Sequence, residues 1–331
     1  MIAALLSHAQ GRPRPTMRSS APGDVPGSGI AVGGGYVAHA RVVMFPLLPR
    51  LRTAVGLLLL ALAQPSAAWI IEDVIDLPVT VRNSKGQSVT HPIKLTIFYD
   101  NAIPRAPFLI LNHGRAGKSE DRAKMGRARY SANAKYFLGK GFAVFVPTRI
   151  GYGVTGGEDV ENSGTCSAKN YPPAYEAGTE QTRRVLAHAR TLPYVDATRG
   201  LVVGQSFGGT IAIALAAENQ PGVVATVNFA GGGGGDPVAR PDKPCRPERL
   251  AELFASYGAT ARIPTVWLYS ENDKYFGKDK PREWFRAFQA AGGKGEFVQL
   301  PPHGADGHGS FTSNTAAWRP AFEAFLRQNG F

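Results

Sequence analysis

From about residue 107 to the C-terminus, short unbroken apolar runs alternate with longer stretches whose apolar positions recur at helical spacing. The runs fall at 107–111, 142–147, 201–203, 223–230, 265–270 and 297–300. A strand that is apolar on both faces lies between two layers of helices, so these runs predict central parallel strands. The stretches between them predict helices over 121–140, 175–192, 210–218, 247–257, 281–291 and 316–328. Upstream the pattern loosens toward alternation in Val74 to Val81 and Ile93 to Tyr99, with Asn83-Ser84-Lys85-Gly86 as a turn between them. That predicts an antiparallel hairpin at the sheet edge. The class is therefore α/β: a mostly parallel, doubly wound sheet with helices on both faces. Residues 236–262 interrupt the alternation and read as a small lid-like insertion beside the sheet. No internal repeat is visible.

The run that ends at Val203 leads into Gly204-Gln205-Ser206-Phe207-Gly208-Gly209, and a helical stretch follows at once. A serine between a strand and a helix on so tight a turn holds its hydroxyl clear of the sheet. Gly204 and Gly208 leave room where a Cβ would collide. The Phe207 amide, at the helix N-terminus, points where an oxyanion would develop. The pentapeptide Gly-x-Ser-x-Gly also arises by chance, but here the strand before it and the helix after it supply the context that gives it meaning. A second feature lies at the end of the 107–111 run, where His113-Gly114 opens a loop whose next amide belongs to Arg115.

On these residues the chain from about Val74 onward resembles the α/β-hydrolase superfamily and, within it, the dienelactone-hydrolase-like group. The resemblance is carried by His113-Gly114, Gly204 to Gly209, Asp273 and Gly307-His308-Gly309-Ser310-Phe311. It implies an α/β-hydrolase fold and a nucleophile, acid and base in the chain order Ser206, Asp273, His308. It also implies an oxyanion hole made by the backbone N–H groups of Phe207 and Arg115. Ser206, Asp273 and His308 each follow a predicted strand and so gather at one edge of the sheet. Within this set, Asp236 and Asp306 remain alternatives for the acid and His303 for the base. Asp273 is preferred because it comes directly off a strand on a short loop, and His308 because two glycines flank it. Dienelactone hydrolases proper carry a Cys where this chain has Ser206, which moves the expectation to a serine carboxylesterase acting on a small-molecule ester. The resemblance implies acyl transfer to water through an acyl-enzyme, with neither a metal nor an organic cofactor. A peptidase of the same fold and a non-catalytic binding protein are the competing readings.

Composition adds the compartment. The net charge is +12, of which the first 68 residues contribute six Arg against one acid, Asp24. The remaining cations, such as Lys118, Arg122, Lys124, Arg127 and Arg129, are scattered rather than interleaved with aromatics, so nucleic-acid binding is not expected. Arg50 and Arg52 precede an apolar stretch from Ala54 to Ala63 and then Pro65-Ser66-Ala67-Ala68. Basic, apolar and small-residue segments in that order read as a secretory signal, too short for a stable membrane span after cleavage. Residues 1–68 are thus expected to stand outside the fold, with Met44 as the true start, and residues 69–331 to form the hydrolase domain of an exported protein. In that oxidising compartment Cys166 and Cys245, on loops at the edge where the site gathers, are expected to form a disulfide. Glu158, Asp159 and Glu161 lack the spacing of metal ligands and read as a solvated loop. His188, on a helix among apolar neighbours, reads as a partly buried or surface histidine.

Overall fold

The protein is described here by a computed structural model over residues 69–331. The expected secretory signal and the start at Met44 lie outside the described residues. The two edge strands β1 (Ile70–Arg82) and β2 (Ser88–Asp100) form the expected hairpin, antiparallel in register from Ile70 opposite Asp100 to Arg82 opposite Ser88. It is longer than the sequence pattern indicated.

Beyond it lie β3 (Ala106–Asn112), β4 (Ala143–Thr148), β5 (Val195–Gln205), β6 (Val223–Phe229), β7 (Thr265–Ser270) and β8 (Gly295–Leu300). The eight strands make one sheet in the order β1-β2-β4-β3-β5-β6-β7-β8. β4 through β8 in that order run parallel, and β2 pairs antiparallel with both of its neighbours, β1 and β4. The expected mostly parallel, doubly wound sheet is what forms.

Side-chain alternation explains how each apolar run serves two cores. In β3, Phe108 and Ile110 face one core while Leu109 and Leu111 face the other. In β5, Val202 points to the first, and Leu201 and Val203 to the second. The first core is covered by α3 (Tyr171–Ala189), α4 (Phe207–Ala217), α5 (Pro247–Thr260) and α6 (Lys280–Ala290). The second is covered by α2 (Ser131–Leu138) and α7 (Thr315–Gln328), whose Trp318 and Phe322 are fully buried against it.

Two segments differ from their sequence pattern. The helix expected over 121–140 is split into α1 (Ser119–Lys124) and α2, because Gly126 and Tyr130 adopt left-handed backbone with φ of 70° and 48°. The break lets Thr148 Oγ1 accept the Ala128 amide, and it turns 125–130 toward the C-terminal edge of the sheet. The 236–262 segment divides. Residues 247–260 are α5, the crossover helix between β6 and β7, with Phe254 packed on Trp267 and Trp284. Residues 236–246 form an irregular loop at the C-terminal edge. The glycine run Gly231 to Gly235 is explained by close packing, since a Cβ there would strike Phe276, Tyr175 or Tyr275 at several points.

Candidate active site

β5 ends at Gln205 and α4 begins at Phe207, so Ser206 alone makes the turn. Its φ of 55° and ψ of −124° lie where a residue with a side chain is strained, at a cost of about 1–3 kcal/mol. The surroundings enforce that geometry. The Ser206 amide donates to Phe229 O at 2.8 Å and its carbonyl accepts from Gly209 at 2.8 Å. A Cβ at Gly204 would strike the Gly208 backbone, and one at Gly208 would strike the carbonyls of Asn112 and His113. Only glycine permits the elbow to close against β3.

His308 sits on a 3-10 turn (Gly307–Gly309) after β8, and Asp273 on the loop after β7. His308 Nε2 is 3.0 Å from Ser206 Oγ, and His308 Nδ1 is 2.9 Å from Asp273 Oδ2. Asp273 is fully buried, and its other oxygen accepts the amides of Tyr275 at 2.8 Å and Phe276 at 3.1 Å. Tyr275 stacks on the His308 ring with centroids 4.0 Å apart, and Phe276 meets it edge-on. The imidazole is therefore held by two aromatic rings and, at both nitrogens, by polar partners. In this arrangement Nδ1–H donates to the carboxylate, which leaves Nε2 free to accept the serine proton.

The alternatives weighed for acid and base stand elsewhere. Asp236 Oδ1 caps its own turn through the amides of Val238 and Ala239. Asp306 Oδ1 accepts the amides of Lys274 and His308, each at 3.0 Å. The His303 backbone is anchored to Asn272, and its ring makes no hydrogen bond among the described residues. His188 is half-buried on α3, away from this edge.

The loop after β3 lies against the elbow: a Cβ on Gly114 would come within 3.1 Å of Ser206 Cβ. The ring of His113 fixes that loop. The Arg149 amide donates to His113 Nε2 at 3.1 Å, so Nδ1 carries the proton and donates to Gly114 O at 2.7 Å. Burial, with the Arg149 charge beside it, pushes the His113 pKa well below the ordinary histidine range and keeps the ring neutral. In a trans peptide the C=O and the following N–H point in opposite directions. Pinning Gly114 O therefore sets the direction of the Arg115 N–H.

Under this loop lies a network that the sequence pattern did not reveal. Arg149 and Glu161 are both fully buried and paired, with Arg149 Nε 2.5 Å from Glu161 Oε1. Arg149 Nη1 donates to His113 O at 2.8 Å, and Tyr152 OH donates to Glu161 Oε2 at 2.7 Å. Arg115 reaches Tyr152 OH and grips Asp159 with two bonds of 2.6 Å. Burial works against the Asp159 charge, but Arg115 and Arg122 outweigh it and hold the carboxyl below its ordinary range. The expected solvated acidic loop is thus corrected: Glu161 is interior and Asp159 is ion-paired. No cluster of metal-binding side chains occurs among the described residues.

Two cavities open at Ser206. One, of about 570 Å³, runs past Phe207, Gly232 to Gly235 and the 236–246 loop. The other, of about 360 Å³, is bounded by Met125, Ala128, Tyr130 and His308. The break between α1 and α2 supplies its apolar wall. Cys166 and Cys245 are joined by a disulfide, Cα to Cα 5.1 Å, in the wall of the larger cavity. The structure thus contains the pairing expected from the sequence.

Comparison with known proteins agrees with this architecture. Residues 113–327, well over half of the chain, match the alpha/beta hydrolase family. No curated protein matches the chain. Among solved structures it is similar to a protein described as a dienelactone hydrolase from Klebsiella pneumoniae subsp. pneumoniae. That pair shares 16% identity with a TM-score of 0.50, covering 78% of this chain and 98% of the other. An esterase from Pyrococcus furiosus gives 12% identity and a TM-score of 0.50 over 77% of this chain and 90% of that one. An acylaminoacyl peptidase from Pyrococcus horikoshii gives 14% identity and 0.51 over 82% of this chain, but over only 43% of the peptidase. At such identities the structural likeness speaks for the fold alone, and the family match carries membership: this chain belongs to the α/β-hydrolase family and is a hydrolase.

Proposed function

We propose that the protein is a serine esterase that cleaves carboxylic esters through an acyl-enzyme. The observation that carries this reading is the unbroken chain of hydrogen-bond distances from Ser206 Oγ through His308 to Asp273, 3.0 and 2.9 Å. A serine hydroxyl is a weak nucleophile unless a base takes its proton, and that base must be oriented by a third group. Ser206 Oγ attacks the ester carbon as its proton passes to His308 Nε2, and Asp273 stabilises the resulting imidazolium. The N–H groups of Phe207 and Arg115 receive the charge on the carbonyl oxygen. The C–O bond to the alcohol then breaks, and His308 returns the proton to the departing alkoxide. Water repeats the sequence on the acyl-enzyme, releasing the carboxylic acid and restoring Ser206. No step calls on a metal or an organic cofactor.

The ester reading is favoured over a peptidase by the charge beside the nucleophile. Holding a substrate ammonium needs carboxylates that outweigh the cations around them, whereas the larger cavity beside Ser206 sets Asp236 and the already paired Asp159 against Arg115, Lys118, Arg122, Lys169 and Arg240. The disulfide supports a protein that folds in an oxidising compartment, and so an exported one. A panel of nitrophenyl esters and aminoacyl amides, run with the wild type and Ser206→Ala, tests the proposal. Ester turnover that disappears in Ser206→Ala is expected; turnover surviving that change, or amide cleavage outrunning ester cleavage, overturns it.

A further inference from the structure

The larger cavity beside Ser206 is strongly cationic. Arg115, Lys118, Arg122, Lys169 and Arg240 all line it, against two carboxylates, Asp159 and Asp236. Arg115 and Arg122 share Asp159. Among the described residues, no carboxylate lies within ion-pair distance of Lys118, Lys169 or Arg240. Lys169 donates only to neutral oxygens, Ser163 Oγ and Gly164 O. The Arg240 Nε is buried and has no partner, and a buried donor left unmade is costly. Burial, followed by the Arg115 and Arg240 charges, holds the Lys169 ammonium below its ordinary range. Unpaired cations gathered around a half-enclosed space are an electrostatic debt that an anion in that space would settle.

The two cavities also divide the substrate. His308 lines the smaller cavity and not the cationic one, and the two arginines on that smaller cavity, Arg115 and Arg129, are already paired with Asp159 and Glu72. The alkoxide must leave on the side where His308 Nε2 can protonate it, so the smaller cavity receives the alcohol. The acyl chain then extends past Phe207 into the cationic cavity. We infer that the preferred substrate is a half-ester of a dicarboxylic acid, with its free carboxylate held by Lys169 and Arg240 and a small apolar alcohol on the His308 side. This rests on the serine-esterase reading above. Hydrolysis consumes one water, breaks the ester C–O bond and releases the dicarboxylate and the alcohol.

The test compares monoethyl succinate, adipate and suberate with ethyl butanoate, hexanoate and octanoate. Each pair has one leaving group and one chain length, and differs only by a terminal carboxylate in place of a methyl group. At the best chain length, wild-type kcat/KM is expected to favour the carboxylate ester by about tenfold or more, the advantage of a charge-assisted hydrogen bond. Lys169→Gln with Arg240→Gln should bring the ratio toward unity, while Lys294→Gln, an exposed cation outside both cavities, retains the wild-type ratio. A pair with the carboxylate on the alcohol, 5-(hexanoyloxy)pentanoate against pentyl hexanoate, should show no preference for the charge. The inference fails if neutral esters are preferred at every length, if the preference survives the double substitution, or if the alcohol-side carboxylate is the one favoured. Ser206→Ala separates the two levels: turnover that persists there sinks the serine reading itself, whereas Ser206-dependent turnover without a carboxylate preference sinks only the subsite.

Discussion

The carboxylate of Asp306 accepts the backbone N–H of His308 at 3.0 Å and, through the same oxygen, that of Lys274 at 3.0 Å. One side chain thereby ties the loop that carries His308 to the loop that carries Asp273. The ring of His308 must keep both nitrogens in register, and a displacement near 1 Å at such a site costs on the order of a hundredfold in rate. Asp306→Ala is therefore expected to lower kcat/KM about ten- to a hundredfold. Asp306→Asn keeps an acceptor oxygen in place and should restore most of the loss. Steady-state kinetics on both variants, with far-UV circular dichroism to verify folding, checks this. Equal activity in wild type and Asp306→Ala would remove the positioning role.

The two histidines after β8 should separate cleanly. His308→Ala should match Ser206→Ala, with kcat reduced by roughly 10⁴- to 10⁶-fold, because members of such a unit fail together. His303→Ala should lose far less, since its backbone rather than its ring braces the loop through Asn272. The measurement is single-turnover acylation with a nitrophenyl ester. If His303→Ala is the inactive variant, the base has been assigned to the wrong residue.

Most of this site was legible in the sequence because its parts are local. Ser206 is announced by its own glycines, and Asp273 and His308 follow apolar runs that could only be strands. The supporting network was not, because its members meet across the sheet edge rather than along the chain. Arg149 and Glu161 are charged, so the pattern assigns them to water, yet both are fully buried. Nothing in the order of residues says that one will neutralise the other. The helix expected over 121–140 fails for a related reason. Its composition favours a helix, but the tertiary contact of Ala128 with Thr148 selects left-handed backbone at Gly126 and Tyr130. The cationic cavity is likewise assembled from four separate loops, and as a sequence its residues look scattered.

Neutral, buried His113 predicts a pH dependence of stability. Its pKa is pushed well below the ordinary histidine value in the folded protein, while in the unfolded chain it titrates near 6.5. Below about pH 6.5 the unfolded chain takes up a proton that the folded chain refuses, so unfolding becomes easier as pH falls, by about 1.4 kcal/mol per pH unit. The effect is absent above that value and ceases below the folded pKa. His188, also lowered by partial burial, adds a smaller slope of the same sign. Asp159, whose folded carboxyl is also lowered, contributes only in the more acidic window below about pH 4. Urea unfolding between pH 5 and 8, wild type against His113→Gln, isolates the ring, where those limits are roughly the range in which histidines titrate. The variant should show a shallower slope, and identical slopes would mean that His113 does not carry it.

The Cys166–Cys245 bond closes a loop with a sequence separation of 79. In the chain-entropy treatment, restricting the unfolded chain over that length stabilises the fold by about 4 to 5 kcal/mol. In the folded state the same flank is also tied without the bond. Tyr171 OH donates to Cys245 O at 2.5 Å, Arg246 Nη1 to Ser167 O at 3.1 Å, and Arg249 Nη1 to Lys169 O at 2.9 Å. Those contacts hold the wall of the cationic cavity in place while the chain remains folded. Replacing both cysteines with serine should therefore act mainly on stability, lowering the urea midpoint, while kcat toward a small neutral ester changes much less. Thiol titration of the denatured, unreduced protein should find none, and two per chain after reduction. Two thiols titrating before reduction would remove the bond, and with it the argument that this protein folds in an oxidising compartment.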